Sequence, residues 1–230
     1  MFLNLGKFEK EVKRAYKDRS ILIGMLYDKK YDADVLMFWT AGWAVYIDSN
    51  YLANKVKALV VELIGDIPKP GQIVEVSKSL PFPQLQVFDP MYEKRLEERW
   101  LVTNKLVATD ILLDEAVTLR LFQDSASKEV FAFDVGLLAM VDPHEADLDT
   151  ESMPIGPCRI VDDSSLTYWF NEVGTVVMAP WRTKNKEIIE ALKSVSLKQE
   201  EEGAKDETEL SQEYEELTLS QNSGQDDSEG

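Results

Sequence analysis

From Gly6 to Ser20 (GKFEKEVKRAYKDRS) the apolar residues Phe8, Val12, Ala15 and Tyr16 fall on one side of a 100° wheel. Lys10, Lys13, Arg14 and Lys17 recur at three- and four-residue steps on the other side. The spacing predicts an amphipathic helix with a basic ridge. Three apolar runs with β character follow, Ile21–Tyr27, Val35–Thr40 and Trp43–Ile47, the last two split by Ala41-Gly42. Asp48, Ser49 or Asn50 can cap a second helix over Tyr51–Ile64, with Tyr51, Leu52, Val56, Leu59, Val60 and Leu63 as its buried stripe. Gly65 closes that helix, and Pro68 to Gly71 prevents its continuation. Ile73–Val76 reads as a strand. Ser79 to Pro90, with three prolines, reads as an extended connector.

The pattern then restarts. Met91–Val102 is helical in character and carries Lys94, Arg95 and Arg99 among acids. Strands are expected at Lys105–Leu112 and Ala116–Gln123. Val130–Asp134 then runs into a short helical stretch, Val135–Val141. Cys158–Val161, Leu166–Phe170 and Thr175–Met178 read as closing strands, and Lys184–Val195 as a terminal helix. Each half thus reads helix, strands, helix, strands, without residue-by-residue repetition. The fold class is α+β, with domains expected at 1–89 and 90–196 and a tail over 197–230.

Charge changes the picture at the C-terminus. The 230 residues carry a net charge of −17, and residues 200–230 hold twelve Asp or Glu against one lysine. So polar a segment buries too little apolar surface to offset its ordering entropy, so disorder is expected. Deleting it is expected to shift the thermal midpoint by no more than a few degrees; a larger fall in a melting experiment would show that it packs on the body. Against an acidic chain, the ridge on the first helix is suited to a polyanion, although a solvated helix shows the same pattern.

Catalytic chemistry is sparse. One cysteine, Cys158, excludes an intramolecular disulfide framework and fits a reducing, cytoplasmic setting. One histidine, His144, leaves little for histidine catalysis. The run His144–Asp149 lacks a second histidine or cysteine nearby and reads as a loop rather than a metal site; Asp162–Ser165 reads as a turn. There is no phosphate loop, G-x-S-x-G, C-x-x-C or H-E-x-x-H. No apolar run is long enough to span a membrane. A non-enzymatic protein without metal or cofactor is expected. A carboxylate-dependent enzyme is the weakest alternative. The aromatics Trp39, Trp43, Trp169, Phe170 and Trp181 read first as packing residues.

Four segments resemble a family. Ala44–Leu52 (AVYIDSNYL) and Val130–Leu138 (VFAFDVGLL) each resemble the strand-into-helix step of a DNA sliding clamp. Gly156–Ile160 (GPCRI) and Gly174–Arg182 (GTVVMAPWR) are similar to the last strands of bacterial clamps. The resemblance covers residues 1–182 and matches the phage-like, two-domain form. It implies two domains of repeated βαβββ units, helices lining a pore, antiparallel sheets outside, and a homotrimeric ring on double-stranded DNA. Lys10, Lys13, Arg14 and Lys17 then face DNA, with Lys94, Arg95 and Arg99 as a second set. Leu80, Phe82, Leu85 and Phe88, with Met178, Pro180 and Trp181, flank the groove for a DNA polymerase or a clamp loader. Bacterial clamps have three domains, and they end near the final strand where this chain continues. The alternative is a monomeric adaptor or regulator that binds a replication protein through its acidic tail or the Gln84–Phe88 peptide, a stretch that reads first as an ordinary edge strand.

Overall fold

The computed structural model describes residues 1–146, 151–160, 166–195 and 197. The turn expected at Asp162–Ser165, the second half of the run His144–Asp149 and the tail beyond residue 197 lie outside these. Residues 1–197 form one compact unit. The chain runs α1 (Leu5–Asp18), β1 (Ile21–Asp28), β2 (Ala33–Trp39), β3 (Trp43–Asp48), α2 (Asn54–Ile64), β4 (Ile73–Val76) and β5 (Gln84–Gln86). It continues through α3 (Pro90–Glu97), β6 (Asn104–Asp114), β7 (Thr118–Asp124), β8 (Val130–Asp134), α4 (Val135–Leu138), β9 (Ile155–Arg159), β10 (Thr167–Phe170), β11 (Gly174–Met178) and α5 (Lys186–Lys193).

The strands make an eleven-stranded antiparallel sheet in the order β5-β4-β1-β2-β3-β11-β10-β9-β6-β7-β8. The α+β class is therefore observed. The echo between the halves appears in the topology: β5-β4-β1-β2-β3 and β10-β9-β6-β7-β8 have the same order. In both, a helix follows the third strand and the chain then returns beside the first. β11 lies between them, paired to β3 from Trp43↔Met178 to Ile47↔Gly174. The stretches expected as domains 1–89 and 90–196 thus share a sheet.

Both faces of the central sheet are covered, so its strands read as continuous apolar runs rather than clean alternation. β3 is buried at all six positions. On one face Leu36, Phe38, Val45 and Val176 pack with Phe8 and Val12 of α1, Val56, Leu59 and Val60 of α2, and Leu137 of α4. Phe8 meets Phe38 edge-on at 4.9 Å and Trp43 at 6.2 Å. Burying Phe8 and Val12 stabilises by about 1.5–3 kcal/mol each. On the other face Val35, Met37, Tyr46 and Val177 pack with Tyr92 and Leu96 of α3. The two basic helices therefore lie on opposite sides of the sheet, which corrects the expectation of one pore-lining surface.

Local chemistry sets the helix ends. The Asn4 side chain accepts the Lys7 amide at 3.0 Å and caps α1. The second helix starts later than expected. Asp48 instead caps a single 3₁₀ turn, Ser49–Tyr51, and leaves Tyr51 exposed. Gly65 ends α2 at φ 89°, where a side chain is strained. Gly24 is required for another reason: a Cβ there would meet Ile73 Cγ1 at 2.9 Å, so glycine lets β4 close on β1. Within the connector, the expected edge strand is observed. Gln84–Gln86 pairs with β4 and forms the sheet edge.

Candidate functional site

The outer side of α1 carries a row of cations. Lys7, Lys10, Lys13, Arg14 and Lys17 are exposed, and Arg19 follows at the helix end. Lys7 lies three residues before Lys10 on the same ridge; the reading from Gly6 onward omitted it although its spacing fits. α2 packs beside α1 and adds Lys55 and Lys57, both exposed. Acids interrupt the ridge at two places. Lys13 Nζ lies 2.9 Å from Glu9 and 3.4 Å from Glu62, and Lys55 lies 3.0 Å from Glu9. These contacts tie α1 to α2, and the hydrogen bonds from Lys13 and Lys55 lower the Glu9 pKa. Arg14 Nη2 lies 2.7 Å from Glu11 and 3.6 Å from Asp134. Glu11 is 3% exposed, and burial raises its pKa against the opposing effect of Arg14. Lys7, Lys10 and Lys17 make no ion pair among the described residues. Exposed ion pairs are worth only about 0–1 kcal/mol, so Lys13 can still turn toward an anion, whereas Arg14 is held by the buried Glu11.

The second basic set does not join this surface. Arg99 is 2% exposed and sits inside the protein, donating to Asp28 and, at 2.6 Å, to Thr175 Oγ1. Its guanidinium lies 4.8 Å from the Trp100 ring and 5.4 Å from Tyr31. Arg95 is half-buried and donates to Glu98 at 2.6 Å, and Glu98 also accepts from the Tyr168 hydroxyl at 2.7 Å. Burial and that hydrogen bond push the Tyr168 pKa up. Lys94 alone is exposed, 3.8 Å from Glu98. Arg99 is thus a structural cation rather than a DNA contact, because Asp28, 71 residues away, faces it across the fold.

The residues expected to flank a docking groove divide three ways. Met178 is fully buried in the core and presents nothing to a partner. Pro180 is half-buried and Trp181 exposed; the Trp181 amide donates to Ala132 O on β8 at 2.7 Å. Phe82 and Leu85 are exposed, and Leu80 and Phe88 are half-buried. Phe88 meets Tyr92 edge-on at 6.5 Å, and Tyr92 meets Trp39 edge-on at 5.2 Å. Trp39 opens onto a pocket of about 190 Å³, walled also by Trp43, Met91, Arg95, Val177 and Ala179. The start of α3 and the end of β11 meet there, with Arg95 as its charged group. Met91 was missed by sequence reasoning; its place behind the helix-starting Pro90 was the available signal. Leu85 and Trp181 do not line this pocket.

No family model, curated protein or solved structure matches this chain. Among the described residues, no group of three or more His, Cys, Asp or Glu is placed to hold a metal ion. No helix among them is long and apolar enough to cross a membrane.

Proposed function

We propose that this protein is a non-enzymatic, clamp-like tether that holds duplex DNA without regard to sequence and keeps a DNA polymerase on it. The observation that carries the reading is the row of exposed cations on α1, set on a chain of net charge −17. Lys and Arg contacts to phosphate are independent of base sequence and exchange with salt, which permits sliding. The acidity of the rest of the chain discourages other surfaces from competing for the duplex. Met91 lies on the α3 side of the sheet, and the Thr40–Trp43 turn that walls its pocket also borders Arg14 and Arg19 at the end of α1, so a partner there would sit beside DNA held on the ridge. A loader is required only if the assembled form closes around DNA. The adaptor alternative is less well supported: Gln84–Gln86 is already paired with β4 and is not a loose peptide for insertion.

Fluorescence anisotropy with two duplexes of unrelated sequence tests the DNA contact. Equal affinity is expected for both, with about four phosphate contacts making binding fall about 10²-fold between about 50 and about 200 mM salt. Absence of binding at the lower salt, or a strong sequence preference, would overturn the reading. The docking pocket is tested separately by Met91→Asp. Met91 is 40% exposed, so the fold should tolerate the change. Polymerase retention on protein-loaded DNA should drop by at least about tenfold, the effect of about 1.4 kcal/mol, while DNA affinity stays at the wild-type value.

A further inference from the structure

The two edges of the sheet are not equivalent. The β8 edge is covered, since Trp181 pairs with Ala132 and α5 packs over the cluster around Leu119 and Leu121. The β5 edge has no strand partner among the described residues. Its surroundings are strongly apolar: Phe82 is 66% exposed, Leu85 71% and Val87 90%. From Leu80 to Phe88 there is no charged side chain, and the nearest acid on β4, Glu75, accepts a hydrogen bond from Gln86 at 2.9 Å. Open edges in soluble proteins are ordinarily guarded by charge, by covering elements or by proline. This one has only the prolines, Pro81 and Pro83, and they leave Gln84–Val87 able to accept a ladder.

We propose that β5 is a homodimer interface, in which two copies pair their β5 strands antiparallel across a two-fold axis near Leu85. The occupant follows from the edges available. A ring built by continuing the sheet head to tail needs a second free edge, and β8 does not offer one. Among the described residues the free strand edge of a second copy is therefore its own β5, and antiparallel pairing of identical strands is isologous and closed. The uncharged segment meets its copy without like-charge repulsion, and a two-fold axis at Leu85 sets Phe82 across from Phe88 of the second copy. The prolines confine the ladder to a few residues, which stops growth at two copies. An interface this short belongs to the weak, concentration-dependent class.

Sedimentation velocity from low- to high-micromolar protein is expected to show a monomer–dimer equilibrium. Leu85→Asp with Val87→Lys should abolish the dimer while leaving circular dichroism and the thermal midpoint unchanged, because both side chains are already exposed. Leu85→Cys provides the geometric test, since the natural Cys158 is buried. Under mild oxidation a residue on the axis should cross-link to itself and give a covalent dimer. A strict monomer at every concentration, which would leave β5 for strand addition to a different protein, overturns the proposal. A trimer overturns it as well, as does a dimer that survives the Leu85→Asp, Val87→Lys change.

Discussion

Replacing Lys7, Lys10 and Lys17 together by glutamate is expected to abolish retention on duplex DNA and leave a folded protein. These side chains make no ion pair among the described residues, so their loss orphans no buried acid. They also stand opposite the Phe8–Val12 stripe that anchors α1 in the core. The effects on the helix itself nearly cancel. Lys7 lies in the first turn, where an acid is favoured by about 0.3–1 kcal/mol, and Lys17 in the last, where the same change is disfavoured by a similar amount. Lys13 is left in place, because a glutamate there would face Glu9 and Glu62 and confuse folding with binding. Phosphate contacts are individually weak, so single changes should weaken binding only several-fold, whereas the triple change reverses the sign of the ridge. Anisotropy should show at least about a 10²-fold loss, consistent with removing three phosphate contacts and adding repulsion. A triple Gln variant should fall between the two. A Glu variant that keeps its fold and wild-type affinity would reduce the ridge to a solvated face and remove the basis for the tether.

Arg99→Ala should have the largest effect on stability. The substitution leaves Asp28, 5% exposed, as a buried carboxylate without its cation. Breaking a buried pair from one side costs about 3–5 kcal/mol. For a unit of this size that corresponds to a fall in thermal midpoint on the order of 10 °C. Lys94→Ala, at a three-fifths exposed position on α3, should change stability by less than about 0.5 kcal/mol. Arg99→Met combined with Asp28→Asn should recover much of the loss, since it removes both charges rather than one. Differential scanning calorimetry decides this. An Arg99→Ala protein that melts with the wild type would mean that the buried pair does not support the fold.

What the chain determined by itself is local. The 3.6-residue period of Phe8, Val12 and Ala15 marks α1, Gly65 marks the end of α2, and Asp134 caps the helix that leaves β8. These signals act within one or two turns, through side-chain spacing and the satisfaction of helix-end amides, so they can be read without knowing the fold. The exposed ridge of α1 was legible for the same reason. Tertiary structure decided the rest. Nothing near Arg99 in sequence distinguishes it from Lys94; burial follows from Asp28 and Thr175, brought beside it by strands from both halves. Gln84–Gln86 is the edge strand that its sequence first suggests, but which strand it pairs with was decided by the fold, through β4. The opposition of α1 and α3 depends on which face of β2 and β3 each helix covers. Because those strands are apolar on both faces, their sequence carries no alternation from which the side could be read.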